Sequence, residues 1–302
     1  MLIRSRHRET SAEVAFNLFN RIFLFLLSLI FLYPFWYVVI CSISSPSALR
    51  GSVGIILWPK EITWAGYRVC FNNPNIWMGY KNTFLYVLMG TSISMVLTTL
   101  GGYALSRPNL MLKKPVMILI TITMFFGGGL VPTYMLIRNL GMINTRWAIV
   151  LPGALSTYNM IVMRTSFQGI PVGMIESAKI DGANDFRILW SIVLPTSKAL
   201  LAVIALFYGV GMWNSWFSAS IYLQDRELFP LQIILQEIII KNSPISAATV
   251  GGALDNMNQD DYYTRTLLQY STIIVSSLPI ILLYPFLQKY FVKGVMIGSI
   301  KG

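Results

Sequence analysis

The sequence predicts an all-α membrane protein with six transmembrane helices. Three observations lead there. Hydrophobic residues make up 55% of the chain and charged residues only 12%, where a soluble domain carries about 25% charge. Six apolar stretches recur along it, each about the 20 residues needed to cross a hydrocarbon core. The 23 Lys and Arg residues fall mainly where those stretches end, which is the pattern that sets orientation in a bilayer. The mean hydropathy of +0.62 agrees. In a soluble chain the net charge of +11 would suggest nucleic acid; here it is a topology signal, and no nucleic-acid partner is implied.

The elements follow in order. Residues 1–21 form a basic tail with Arg4, Arg6, His7, Arg8 and Arg21. The first span is expected at 22–41. It is long for the apolar region of a signal peptide and lacks a small-residue cleavage site, so it is read as retained. Pro34 is expected to kink it. The connection 42–81 is polar, with Trp58, Trp64 and Trp77 suited to a membrane interface. The second span, 83–105, contains Gly90, Gly101 and Gly102, which allow close helix approach. Arg107, Lys113 and Lys114 mark a short basic loop. The third span, 116–137, contains Phe125-Phe126-Gly127-Gly128-Gly129-Leu130-Val131-Pro132. Three glycines and a proline predict a broken or bent helix, which survives at depth only when buried in protein or lining a cavity.

After an outer turn at 138–146, the fourth span, 147–167, is expected to bend at Pro152-Gly153. It carries Tyr158 and Asn159. The fifth span, 197–217, holds Tyr208, Trp213, Asn214 and Trp216 in its last turns. A long loop, 218–264, has six acidic residues. The sixth span, 267–287, is expected to be interrupted by Pro279 and Pro285, and a short basic tail follows. The expected organisation is a cytoplasmic tail (1–21), a permease domain (22–290) and a cytoplasmic C-terminal tail (291–302). Six spans put both termini on one side. That side, with the 106–114 loop and the 164–198 region, holds fourteen of the 23 Lys and Arg residues. It is therefore the cytoplasmic side.

The stretch 171–195, PVGMIESAKIDGANDFRILWSIVLP, places Glu176, Lys179, Asp181, Asp185 and Arg187 between two apolar spans. It must be a loop at the membrane surface. Residues 172–180 read as one helix with Met174, Ile175 and Ala178 on its apolar face. Asp181-Gly182 ends it, because glycine takes the left-handed conformation that closes a helix. Asn184 or Asp185 can cap a second helix through Phe186, Ile188, Leu189 and Ile192, and Pro195 is expected to break it. Two short helices joined at a glycine make a compact knob. The helical pattern alone also fits an ordinary interfacial loop.

The spacing is more specific. Glu176-Ser177-Ala178 is followed by three residues, Gly182, nine more residues and Ile192-Val193-Leu194-Pro195. This resembles the EAA loop of ABC importer permeases, the membrane subunits that grip cytoplasmic ATPases. Ser177 stands where alanine is usual, and a small residue is kept. The ending, Gln288 to Gly294 followed by Gly298-Ser299-Ile300-Lys301-Gly302, resembles the tail of maltose-type permeases. Trp213-Asn214 resembles the Trp-Asn motif of the carbohydrate branch. The segment from Phe125 to Tyr134 resembles permeases for oligosaccharides and polysaccharides, a group near which alginate importers fall.

The resemblance implies a type I ABC importer permease fold with a cytoplasmic coupling-helix loop. By motif, Glu176 would meet the ATPase, with Ser177, Ala178, Asp181, Gly182 and Ala183 shaping the knob and Lys301 and Gly302 running along the same interface. It implies a second permease, two ABC ATPases, an external solute-binding protein, surrounding lipid and a carbohydrate substrate, in the cytoplasmic membrane of a prokaryote. ATP and Mg would sit in the partner ATPase, with no cofactor in this chain. The candidate substrate path is Tyr158, Asn159, Tyr208, Trp213, Asn214 and Trp216, since aromatic faces and amides suit sugars. The same residues also fit an aromatic belt, and the glycine run also fits helix packing. The 243–261 portion reads either as a finger toward the binding protein or as a solvated linker.

The chain has no Walker glycine loop, no zinc-protease or esterase motif and no Cys/His cluster, so an enzyme is not expected. Cys41 and Cys70 read as packing thiols; pairing them requires both on the outer side. No acidic relay crosses a span, as proton-driven transport would need. A permease for another solute such as amino acids, a secondary transporter or an intramembrane enzyme is the competing reading.

Overall fold

A computed structural model describes residues 10–45, 55–241 and 259–299. His7, Lys301, Gly302 and residues 243–258 lie outside them. The described residues are α-helical almost throughout, with one isolated antiparallel bridge between Ser44 and Ile62. Helix α1 spans Ser11–Ile43, beginning well before the expected span. A capping box starts it there: Thr10 N–H donates to Glu13 Oε2 at 2.7 Å and Glu13 N–H to Thr10 Oγ1 at 3.4 Å, so two otherwise orphaned donors are satisfied. Helix α2 is Ala65–Asn72 and α3 is Pro74–Ser106. Helix α3 also starts earlier than expected, because Asn73 caps it and Pro74 takes its first position, where a missing N–H costs nothing.

Helices α4 (Lys113–Phe125) and α5 (Leu130–Asn139) meet at 111°. The bend falls on the glycine run, as the sequence implies, and Gly129 takes φ +82° there, a conformation costly for any residue with a Cβ. The fourth expected span is two pieces, α6 (Trp147–Val150) and α7 (Thr157–Gln168), separated at Pro152-Gly153. Then come α8 (Val172–Ile180), α9 (Asp185–Thr196), α10 (Lys198–Trp213), α11 (Trp216–Tyr222), α12 (Leu231–Lys241) and α13 (Gln259–Ser299).

The break expected at Pro195 is found one residue on: the chain turns by 87° between Thr196 and Lys198, before the next span. A π turn over Leu189–Val193, closed by Leu194 N–H to Leu189 O, precedes the proline, and such wider turns absorb a local break in the ordinary ladder. One proline expectation is corrected: helix α13 runs through Pro279 and Pro285 without interruption. Each of the six apolar segments is helical. Among the described residues three helices are long and apolar enough to cross a membrane alone, and up to five spans result if each bent pair counts as one. The split fourth segment is too short in either piece.

The chain forms two compact units, Met1–Asn72 with Ile238–Val275, and Asn73–Glu237 with Ser276–Gly302. In the first, Cys70 Sγ lies 3.2 Å from Thr272 Oγ1, Ser271 Oγ donates to Ser42 O at 3.3 Å, and Tyr67 OH is 2.8 Å from Ser42 Oγ. Cys41 and Cys70 are free and buried. From Val14 to Leu32, most large apolar residues of α1 are exposed, as expected of a helix whose solvent is lipid.

In the second unit α3 packs along α7 and α10. Between its large buried residues Tyr86 and Tyr103 the buried face is small and polar, with Gly90, Ser94, Thr98 and Gly102. A Cβ on Gly102 would sit 3.3 Å from the Arg164 backbone N, while those on Gly90 and Gly101 would meet the side chains of Met212 and Met160, so the glycines allow close helix approach as read from sequence. One apolar cluster centres on Tyr103, Phe167, Ile188 and Ile204, another on Tyr86, Ile137, Ile149 and Tyr222. Tyr86 and Tyr103 are about 26 Å apart along α3, close to the hydrocarbon thickness of about 30 Å.

Candidate coupling site and transport path

The knob consists of α8, α9 and the turn between them. Helix α8 closes in a complete Schellman motif. Ala183 N–H donates to Ala178 O at 2.9 Å, Gly182 N–H donates to Lys179 O at 3.0 Å, and Gly182 has φ +77°. This satisfies two terminal carbonyls and reverses the chain. Asn184 Oδ1 then accepts from Arg187 N–H at 2.8 Å and starts α9. Asn184, rather than Asp185, is therefore the cap. Ser177 Oγ donates to Gly173 O at 2.8 Å, turning its hydroxyl back onto its own helix.

Packing divides the knob into a fixed face and a free face. Ile175, Ile188 and Leu189 are buried in the Tyr103 cluster, with Ala178 and Ala183 packed against it. Glu176, Asp181 and Gly182 are exposed. So are Ile180 (86%), Phe186 (68%) and Trp190 (70%). Large apolar groups beside charges on an exposed, internally braced knob suit a protein docking surface or a membrane interface.

A cleft of about 1100 Å³ opens between the knob and the end of α3. Glu176, Lys179 and Asp185 line one wall, and Tyr103, Arg107 and Lys113 the other. Tyr103 OH donates to Asp185 Oδ1 at 3.3 Å, and the Arg107 guanidinium lies 4.5 Å from the centroid of the Tyr103 ring. Lys113 Nζ donates to Arg107 O at 2.9 Å, and Arg164 Nε to Leu105 O at 3.2 Å, placing cations at the negative end of α3.

The candidate path residues do not form one group. Tyr208 is buried; its phenol is 2.6 Å from Thr98 Oγ1 and accepts from Ser156 N–H at 3.0 Å. Trp213 is buried edge-on against Phe84, with ring centroids 5.7 Å apart, and Asn159 is buried in α7. Tyr158, Asn214 and Trp216 are exposed. Asn214 ends α10, its N–H donating to Val210 O, and Trp216 stands edge-on to Phe217.

Sequence reasoning missed the Tyr103–Asp185 link. Its available signal was Tyr103 and Arg107 at a spacing of four, which places them on one helix face. It also missed how the 223–231 segment is held. Asn82 Nδ2 donates to Glu227 O and Phe229 O, Tyr86 OH to Leu228 O, and Leu231 N–H to Thr83 Oγ1. Asn144 Oδ1 accepts from Gln224 and Asp225 N–H, while its Nδ2 donates to Asp225 Oδ2. Among the described residues no group of three or more metal-ligating side chains converges.

Bent and broken apolar helices, with a braced knob exposed at one end, define a helical membrane permease. The chain belongs to the family described as binding-protein-dependent transport system inner membrane component, whose model matches residues 76–297. It is 36% identical over 280 residues to the polygalacturonan/rhamnogalacturonan transport system permease protein YtcP of Bacillus subtilis, covering 93% of this chain and 96% of that one. It is 33% identical to protein LplC of the same organism, covering 97% of each. Its structure superposes with a TM-score of 0.83 on a bacterial ABC transporter involved in import of the acidic polysaccharide alginate, at 31% identity, covering 94% of this chain and 99% of that one. The expected type I ABC importer permease fold is the fold found. As a family member the chain is a transport permease rather than an enzyme, and it works with a permease partner, an ATPase and a solute-binding protein.

Proposed function

We propose that this chain is one of two permeases of an ABC importer carrying an acidic oligo- or polysaccharide across the cytoplasmic membrane. The observation that carries the reading is the near full-length likeness, at over 30% identity, to permeases whose own substrates are alginate and polygalacturonan. Both are polyanions of uronic acids.

Two ATPases, holding ATP and Mg, grip the knob through Glu176, flanked by Ser177, Ala178, Asp181, Gly182 and Ala183. Lys301 and Gly302 extend the same interface. Both termini are cytoplasmic, the 22–290 region is the permease domain, and the solute-binding protein docks on the opposite side. ATP closes the ATPases, the knob moves as a lever, and the spans open outward. The difference in affinity for the two states drives the shift. Tyr158, Asn214 and Trp216 offer saccharide contacts at exposed positions, while Asn159, Tyr208 and Trp213 support them from the packed side.

The test reconstitutes the complex with its ATPase and binding protein in proteoliposomes. Oligogalacturonate or alginate oligosaccharide should enter in an ATP-dependent manner, and maltodextrin poorly. Equal uptake of maltodextrin, or uptake that follows a proton gradient without ATP, would sink the reading.

A further inference from the structure

We propose that Tyr103 is a positioning residue for coupling, tying the knob to α3 so that movement of one becomes movement of the other. This rests on the permease reading above. The knob is otherwise held by apolar packing of Ile175, Ile188 and Leu189. Apolar burial is non-directional, so the register of the two surfaces rests on the fit of their side chains alone. A hydrogen bond is directional where apolar packing is not. Tyr103 supplies one: its OH donates to Oδ1 of the exposed Asp185, the first residue of α9, at a long 3.3 Å.

The phenol is itself fixed. Its residue is 7% exposed, and Arg107, one turn further on, lies over its ring. Arg107 is anchored in turn by donating from Nε and Nη2 to Ser106 Oγ at 3.1 and 3.0 Å. The bond therefore joins a rigid helix end to the start of the second knob helix, across the head of a cleft that either element would open by moving alone. Helix α3 is also the element along which α7 and α10 pack, so a displacement delivered at Tyr103 reaches the spans that line the unit.

The test uses the complete complex in proteoliposomes, with oligogalacturonate and alginate oligosaccharide as probes. Tyr103→Phe keeps the ring under Arg107 and removes only the hydroxyl. It should purify at wild-type yield with the ATPase bound. Basal hydrolysis, which needs no saccharide, should rise several-fold because the ATPases no longer work against α3. Saccharide moved per ATP should fall by about fivefold, in line with loss of one hydrogen bond of ordinary strength. Asp185→Ala should do the same, and the double variant no worse than either single one. Asp185→Asn, which keeps an acceptor, should retain most of the coupling.

A merely structural role predicts poor yield, with hydrolysis and uptake falling together. That result, or a Tyr103→Phe complex with wild-type basal hydrolysis and wild-type stoichiometry, overturns the proposal. A wild-type complex that hydrolyses ATP but imports neither probe counts against the saccharide instead, and the basal-hydrolysis comparison still decides Tyr103.

Discussion

The phenolic oxygen of Tyr208 lies 2.6 Å from Thr98 Oγ1, joining α10 to α3 in the middle of their contact. The same oxygen accepts from Ser156 N–H at 3.0 Å, where the fourth apolar segment is broken between α6 and α7. Backbone freed by a break at membrane depth must find a partner inside the protein, and Tyr208 provides one. Tyr208→Phe should therefore destabilise the purified protein by about 1 kcal/mol, the usual worth of such a bond between membrane helices. A thermal-inactivation midpoint lowered by a few degrees, with transport normal in the folded fraction, is the expected result. Lost uptake at unchanged stability would make Tyr208 a substrate contact instead.

Glu176 is exposed on the knob, at the mouth of the cleft it shares with the end of α3. Glu176→Lys should leave insertion and yield unchanged while weakening ATPase docking by roughly tenfold or more, the scale of a charged hydrogen bond. Pull-down of the ATPase by the purified variant measures this. Wild-type recovery together with wild-type uptake would remove Glu176 from the interface.

The knob was legible in sequence because each of its devices is local. The Asp181-Gly182 stop, the Asn184 cap and the apolar positions Ile175 and Ile188 lie within a few residues of what they control. The glycine bend before α5 and the close approach at Gly90 were legible for the same reason. Helix starts were not, since Thr10 and Asn73 sit in polar stretches that a hydropathy reading assigns to connections. Nor was the π turn before Pro195, which accompanies the burial of Leu189 and Val193. Tyr208 enters the candidate path by residue type and Trp213 by the Trp-Asn motif, and neither signal says which side chain is buried. Only tertiary contact separates a buried phenol that seals a helix break from an exposed one that meets substrate.

Two helix glycines of α3 should respond differently to the same change. A Cβ on Gly90 would meet the flexible end of Met212, whereas one on Gly79 would lie 2.9 Å from the Leu231 Cα. Side chains can give way and backbone cannot, so Gly79→Ala should cost about 1–3 kcal/mol. Gly90→Ala should cost less, helped by the higher helix propensity of alanine, about 1 kcal/mol. Melting of the two purified variants under identical conditions checks the order. A larger loss for Gly90→Ala would contradict the packing.

Orientation is tested by thiol labelling of intact cells. The native Cys41 and Cys70 are buried. Burial also pushes the Cys70 thiol up from its ordinary value, the hydrogen bond with Thr272 opposing it, so at neutral pH it stays protonated and slow to react. Against that silent background, Ser177→Cys on the knob should resist an impermeant reagent added outside. Gln224→Cys, exposed in the segment after α11, should react. The reverse pattern would invert the topology.

Asn214 bears on the substrate path most directly. It ends the apolar helix α10, and the residue is exposed between the buried Trp213 and the partly exposed Trp216. An amide facing hydrocarbon without partners is costly, so this one faces water, a cavity or a saccharide. In a cavity it can exchange bonds with sugar hydroxyls while the exposed face of Trp216 meets the CH face of a ring. Asn214→Leu should then lower uptake and saccharide-stimulated hydrolysis by about tenfold, the loss expected when a site built to bind a hydroxyl is left without its polar group. Yield, ATPase binding and basal hydrolysis should stay at wild-type levels, because Asn214 contributes only a backbone bond to the fold, from its N–H to Val210 O. The competing role, a structural hydrogen bond to a neighbouring subunit, predicts a complex that falls apart on purification. Normal yield with impaired uptake supports the path, and normal yield with full uptake removes Asn214 from it.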